Sequence, residues 1–334
     1  MRFRFKPTAE QRSALRTQLT RLQQPAAVLE VLRCVLPAGF NPTDARCTPL
    51  NLHSDRFVLR AQVRSGAGKE CSYALKVYSD DFGQQIWRHS RALNERSQPN
   101  GNGLCLPNAY LPEERMLIFP WVDGVFLSEI VDGRKLELLR QAAQIAASLH
   151  RSGLVPEQPT TAQMIVRETR ERCERLRRRW PAVAPVMEPL LASVEEGLTL
   201  LEPAELAPVH GDMAAGQFLW TGERLVLLDL DMFGYADPAY DAGHFLAQLE
   251  RRCVLDPLLR AHTAQWLACF RDSYLAAMPK VSPRNLTFYR GLTLVRKIYT
   301  ICRKQTGEWP QMISQLAVRA RAALQELAPA GQTL

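Results

Sequence analysis

Val209-His-Gly-Asp-Met-Ala-Ala-Gly-Gln-Phe-Leu219 is followed, after a short turn, by Leu227-Leu-Asp-Leu-Asp-Met-Phe-Gly-Tyr-Ala-Asp-Pro-Ala-Tyr-Asp241. The first stretch places Asp212 five residues before an amide, Gln217. The second places Asp229 and Asp231 at the end of an apolar strand. An acid, an amide five residues on and an acid at a strand end are what phosphoryl transfer requires. One carboxylate orients the attacking hydroxyl and accepts its proton. The amide oxygen and the later carboxylate suit Mg²⁺, a hard cation that takes oxygen ligands.

The chain on either side has two textures. Residues 8–36 carry Leu15, Leu19, Leu22, Val28, Leu29, Leu32 and Leu36 at helical spacing, interrupted by Pro25. From 45 to about 122 strands dominate. Arg56–Val63 and Glu70–Val77 flank Ser65-Gly-Ala-Gly-Lys69, which predicts a hairpin with a Gly-bearing turn. A helix is expected over Gln84–Arg96, then a loop at Pro99–Gly103, then strands at Asn108–Leu111 and Met116–Phe119. Beyond about 125 the pattern is helical, with an amphipathic helix at Leu136–Arg151 and an Arg-rich one at Glu168–Trp180. One β island, Pro208–Trp220 with Leu225–Asp231, interrupts it, and helices return over 240–327. This organisation predicts an α+β fold with a small β-rich lobe at 1–124 and a larger helical lobe at 125–334.

Composition narrows the class. The chain has 334 residues, 46% hydrophobic and 23% charged, which is ordinary globular usage and excludes disordered or fibrous proteins. Eight scattered cysteines form no Cys-x-x-Cys pair, so a zinc framework is not expected and reduced cytosolic thiols are. The basic start Met-Arg-Phe-Arg-Phe-Lys is not followed by the apolar run of a signal peptide, and no apolar run approaches 18 residues. A cytoplasmic protein without membrane contact is the expectation. The net charge of +8 attracts phosphates generally. No nucleic-acid module is visible, and the run Arg175–Arg179 has no interleaved aromatics for stacking bases, so no nucleic acid is expected.

The two motif stretches resemble the aminoglycoside phosphotransferase and choline kinase superfamily of kinase-like small-molecule kinases. That family's loop reads His-Gly-Asp-x-x-x-x-Asn; here His210, Gly211 and Asp212 match, with Gln217 at the Asn place. Its metal segment is matched by Leu228, Asp229, Leu230 and Asp231, then by Ala236, Asp237, Pro238 and Asp241. The resemblance implies a bilobal protein-kinase-like fold with a small antiparallel β-sheet N-lobe, a mainly helical C-lobe, and ATP and Mg²⁺ as cofactors. It makes Asp212 the catalytic base and Gln217 and Asp229 metal ligands. Asp231 is either a second metal contact or a hydrogen-bonded loop brace. Asp241 would brace the catalytic loop and His210 would be structural. In the N-lobe, Lys76 within Tyr73-Ala-Leu-Lys-Val77 would reach the nucleotide phosphates, and Phe119 and Trp121 would offer the purine a carbonyl and an N–H across the hinge at 119–124.

Two departures leave an alternative open. Gln217 is one methylene longer than Asn. The helix glutamate that would orient Lys76 is unclear: the family spacing puts His89 there, and Glu95 lies further on. A pseudokinase, binding nucleotide or ligand without transfer, is therefore the second reading. The acceptor is narrowed by charge. From 245 onward stand thirteen Lys and Arg against five Asp and Glu, which disfavours a polycationic antibiotic and favours a neutral or anionic hydroxyl compound such as a sugar or an acidic metabolite. Nothing in the sequence fixes the oligomeric state.

Overall fold

The computed structural model describes residues 6–96, 103–156, 158–305 and 308–327. Residues 99–102 of the expected Pro99–Gly103 loop, and the first five residues of the basic N-terminus, lie outside that set. The described residues up to Gly124 form one compact unit and those from Val125 onward a second.

The first unit begins with α1 (Ala9–Arg21) and α2 (Pro25–Leu32). Thr8 caps α1 reciprocally with Gln11, satisfying two otherwise orphaned N–H groups. Pro25 breaks the apolar spacing because it is the first residue of α2, a position that needs no N–H. Then come β1 (Pro42–Leu52), β2 (Arg56–Ser65), β3 (Glu70–Tyr78), α3 (Phe82–Glu95), β4 (Ala109–Leu111) and β5 (Met116–Pro120). The strands form one antiparallel sheet in the order β1-β2-β3-β5-β4. Alternation on β2 buries Phe57, Leu59, Ala61 and Val63. These join Leu75, Val77 and Ile118 under Leu15, Leu22, Val28 and Leu32 of the two leading helices. The β2–β3 hairpin forms as expected, closed by Ser65 N–H to Lys69 C=O at 2.9 Å with Gly68 at φ +75°. The turn before β2 is tighter than the sequence implies: β1 runs to Leu52, and His53 N–H reaches Arg56 C=O at 2.9 Å.

The second unit contains β6 (Val125–Phe126), α4 (Lys135–His150), α5 (Ala162–Arg179), α6 (Ala184–Thr199), β7 (Ala207–Val209), β8 (Phe218–Trp220), β9 (Leu225–Leu227), β10 (Gly234–Ala236), α7 (Ala239–Leu255), α8 (Thr263–Ala277), α9 (Pro283–Lys304) and α10 (Trp309–Gln325). The expected β island is two small sheets, β6-β8-β9 and β7-β10, both antiparallel. The motif residues occupy the turns between them. α7 is the axis of this unit and is buried along most of its length. A Cβ on Gly243 would lie 2.7 Å from the Leu286 carbonyl oxygen, so only glycine lets α7 and α9 approach this closely. Across from α9, Phe245 stacks on Phe270 of α8 at 3.9 Å. α4 presents the fully buried small residues Ala142, Ala143, Ala146 and Ala147. Among the described residues no helix is long and apolar enough to cross a membrane.

Candidate functional site

The loop after β7 is held by one side chain. Asp241, on the first turn of α7, is completely buried. Its Oδ2 accepts the His210 N–H at 2.5 Å and its Oδ1 the Gly211 N–H at 2.8 Å. His150, at the end of α4, donates from Nε2 to the same Oδ2 at 3.1 Å, and its Nδ1 meets the Tyr274 hydroxyl at 2.8 Å. Burial alone would push the Asp241 carboxyl up. The His150 bond, the neighbouring histidines and the Gly211 N–H outweigh that and hold it below the usual carboxylate range. Both histidines are therefore satisfied structural groups.

His210 ties this loop to the next one. Its Nε2 donates to the Leu228 carbonyl at 2.9 Å, which leaves Nδ1 to accept the Asp212 N–H at 3.3 Å. Gly211 has φ +82°, and a Cβ there would sit 2.1 Å from the Met232 carbonyl oxygen. The loops bearing Asp212 and Asp229 thus touch backbone to backbone. Gln217 adds another tie, its carbonyl accepting the Leu228 N–H at 2.8 Å. Asp229 adopts a left-handed conformation at φ +66°, strained for a residue other than glycine. Its Oδ1 accepts the Asp231 N–H at 3.2 Å, and Asp231 is buried. Asp212, Gln217, Asp229 and Asp231 therefore lie on two adjoining, cross-braced turns.

The sequence reading missed His244. It lies one turn after Asp241 on α7, and its Nε2 is 3.1 Å from Asp212 Oδ1. The Asp-x-x-His spacing, which puts both side chains on one helix face, is the signal that would have found it. Burial lowers the affinity of His244 for a proton, with Asp212 only partly opposing, so the neutral ring must carry its proton on Nε2 to donate. Asp212 is half exposed. Burial raises its carboxyl, but the His244 bond and the charge of Lys297 on α9 prevail and hold it below the usual range. Lys297 itself is lowered by burial to about 8. Replacing His244 by alanine removes the donor, so the Asp212 pKa is expected to rise. The acid limb of the pH–activity profile then moves to higher pH, while His244→Gln, which keeps an N–H donor, restores part of the shift.

The nucleotide candidates lie in the first unit. Lys76 is buried on β3 opposite Leu117 of β5, two register steps from the Ala74–Phe119 pair. The backbone N–H of Trp121 is taken by the Ser72 carbonyl at 3.2 Å, and its indole N–H by Asp123 at 2.7 Å. A purine using the Trp121 N–H would have to displace Ser72, which the sequence did not reveal. On α3, Glu95 faces Arg91 at 3.7 Å on an exposed surface, and His89 is half-buried.

For a metal, no three His, Cys, Asp or Glu side chains converge among the described residues. Mg²⁺ carried by a nucleotide needs only one or two carboxylates, the rest being phosphates and water. The oxygen-only set of Gln217, Asp229 and Asp231 fits that chemistry. On α5, three of the seven arginines meet acids: Arg170 meets Glu195 at 2.7 Å, Arg172 meets Glu168 at 2.5 Å and Arg175 meets Glu171 at 4.0 Å.

Comparisons with known proteins follow the same line. A choline kinase from Cryptosporidium parvum superposes with a TM-score of 0.63 at 11% identity, covering 90% of this chain and 96% of that one. A spectinomycin phosphotransferase solved with ADP and spectinomycin gives 0.58 at 14% identity, over 91% and 99% of the chains. The choline kinase LicA from Streptococcus pneumoniae gives 0.58 at 14% identity, over 90% and 98%. These likenesses establish the kinase-like α+β fold. No functionally curated protein matches the sequence. The profile of the phosphotransferase enzyme family matches residues 89–283, more than half of the chain and all of both motif turns, and the chain belongs to that family.

Proposed function

We propose that this phosphotransferase uses ATP and Mg²⁺ to phosphorylate a hydroxyl of a small neutral or anionic molecule, in the cytoplasm. The observation that carries the reading is Asp212: a carboxylate kept ionised, half exposed, and fixed by a loop that Asp241 and His210 brace. Asp212 would accept the proton of the attacking hydroxyl as its oxygen bonds to the γ-phosphorus. The bond from that phosphorus to the bridging oxygen breaks, and ADP carries away the electron pair. Gln217, Asp229 and Asp231 would hold Mg²⁺, which neutralises phosphate charge when bound. Lys76 would hold the nucleotide phosphates, and Phe119 and Trp121 would flank the purine.

Calorimetry with Mg-ATP tests the nucleotide half. Wild type is expected to bind, and Lys76→Met to bind about tenfold more weakly, about 1.4 kcal/mol. Absence of binding at millimolar Mg-ATP would sink the kinase reading. Turnover against a broad hydroxyl panel tests the other half. If wild type binds nucleotide yet is as inert as Asp212→Ala, the protein is a pseudokinase, and the extra methylene of Gln217 is the first place to look.

A further inference from the structure

The second unit contains a cavity of about 550 Å³, within the range of small-molecule sites. One wall is the turn 214–216, which begins two residues beyond Asp212. Another is the later part of α7, from Gln248 to Leu255, and a third is the start of α4 with Trp266 of α8. The Gln248 amide nitrogen lies 3.3 Å from Nε2 of His244, the residue that touches Asp212. The cavity therefore adjoins the base through one shared side-chain contact.

Its charge is unusual. Lys135, Arg251 and Arg252 line it against one acid, Asp256. The Asp256 Oδ1 caps the following turn through the Leu258 N–H at 3.1 Å. Lys135 is only 2% exposed. Its ammonium donates to the Leu127 carbonyl at 2.5 Å and stands 4.8 Å from the Trp266 ring. Among the described residues no carboxylate pairs with Lys135, Arg251 or Arg252, and the buried Arg251 Nε has no hydrogen-bond partner. Burial lowers Lys135 to about 8 and also lowers Arg251. Two other arginines of this unit are matched by acids. Arg290 grips the fully buried Glu250 at 2.8 Å, and Arg296 grips Glu168 at 2.8 Å. Buried cations in proteins are paired because an unpaired one is costly to desolvate. Lys135 and Arg251 lie on two walls of one cavity with no carboxylate among the described residues to neutralise either, which calls for an anion from outside the chain.

We propose that this cavity is the acceptor pocket and that it selects an anionic acceptor, whose phosphate or carboxylate group is held by Lys135, Arg251 and Arg252. The placement of the acceptor hydroxyl rests on the phosphotransferase reading; the anion site itself does not. His244 and Arg251 are seven residues apart on α7, about 10 Å of helix rise. That span fits a small phosphorylated or acidic sugar with its hydroxyl toward Asp212 and its charge toward Arg251.

The test is calorimetry of the full chain with inorganic phosphate and, separately, acetate in low-salt buffer, each with and without saturating Mg-ATP. At least one of the two anions is expected to bind with Mg-ATP present, and the stronger names phosphate or carboxylate as the group held. Lys135→Met and Arg251→Met should each weaken that binding tenfold or more, and the exposed Arg252→Gln by a few fold, all with unchanged Mg-ATP affinity. Should Lys135→Met fail to fold by circular dichroism, Arg251→Met and Arg252→Gln decide the matter. Anion binding that is absent, displaced by Mg-ATP, or indifferent to these substitutions overturns the proposal and leaves the phosphotransferase reading intact. Loss of Mg-ATP binding with anion binding retained does the reverse.

Discussion

Asp241→Ala is expected to lower folding stability by about 3–5 kcal/mol, because the carboxylate is the acceptor for several buried donors. The alanine would strand the His210 and Gly211 N–H groups and leave Nε2 of His150 without its acceptor, all in a place water does not reach. Each orphaned buried donor costs about 1–3 kcal/mol. Asp241→Asn should be little better, because either carboxylate oxygen replaced by NH₂ faces a donor. Urea unfolding at pH 7 measures the loss. The pH dependence gives an independent check. The Asp241 carboxyl is held below its ordinary value, so its contribution is fully present above about pH 4 and is lost as pH falls through the lowered folded-state value. The gap between wild type and variant should narrow in acid. A gap that stays constant down to strongly acidic pH would show that the carboxylate charge is not what anchors the loop.

Asp212→Asn is expected to act on rate rather than on stability. General-base assistance contributes roughly 10²–10⁴-fold, and the asparagine amide cannot take the hydroxyl proton. Phosphoryl turnover should therefore fall about 10³-fold. Asp212 is half exposed and its main partner, His244, can still donate to the asparagine oxygen, so the unfolding midpoint should hardly move. Mg-ATP affinity should stay within a factor of about two, since Asp212 is assigned to the acceptor and not to the nucleotide. A variant that loses nucleotide binding in parallel with turnover would assign Asp212 to the phosphates instead.

The sequence made the site's skeleton legible because the residues concerned act through short range. His210, Gly211 and Asp212 lie on one turn, and the aspartates of 229–241 follow a fixed spacing from strand end to helix start. The β2–β3 hairpin was equally plain, since alternation over two strands and a Gly-bearing turn leave little choice. Other features depend on what meets across the fold. β10 has three residues, one of them Gly234, and is a strand only because β7 pairs with it. Lys135 reads as an ordinary solvent-facing lysine at a helix start; its burial comes from Trp266, more than a hundred residues away. The basic surplus after 245 was visible, but not its division. Arg290, Arg296 and Arg319 answer acids within the fold, while Arg251 and Arg252 do not. The use of the Trp121 N–H by Ser72 was likewise hidden, because it needs the register of neighbouring strands.

α7 has a consequence for how specificity could change in this scaffold. Its first two turns carry Asp241 and His244, which hold the loop and Asp212. Its last turns carry Gln248, Arg251 and Arg252, which face the cavity. The two tasks are spaced along one rod of 17 residues, about 25 Å long, and its close seat against α9 at Gly243 lies on the loop-holding end. Substitutions in the distal turns can remodel what is recognised without disturbing the proximal ones. The helix is a modular handle: a library confined to Gln248, Arg251, Arg252, Leu255 and Asp256 should yield altered acceptor preference among variants that keep their fold and their nucleotide affinity.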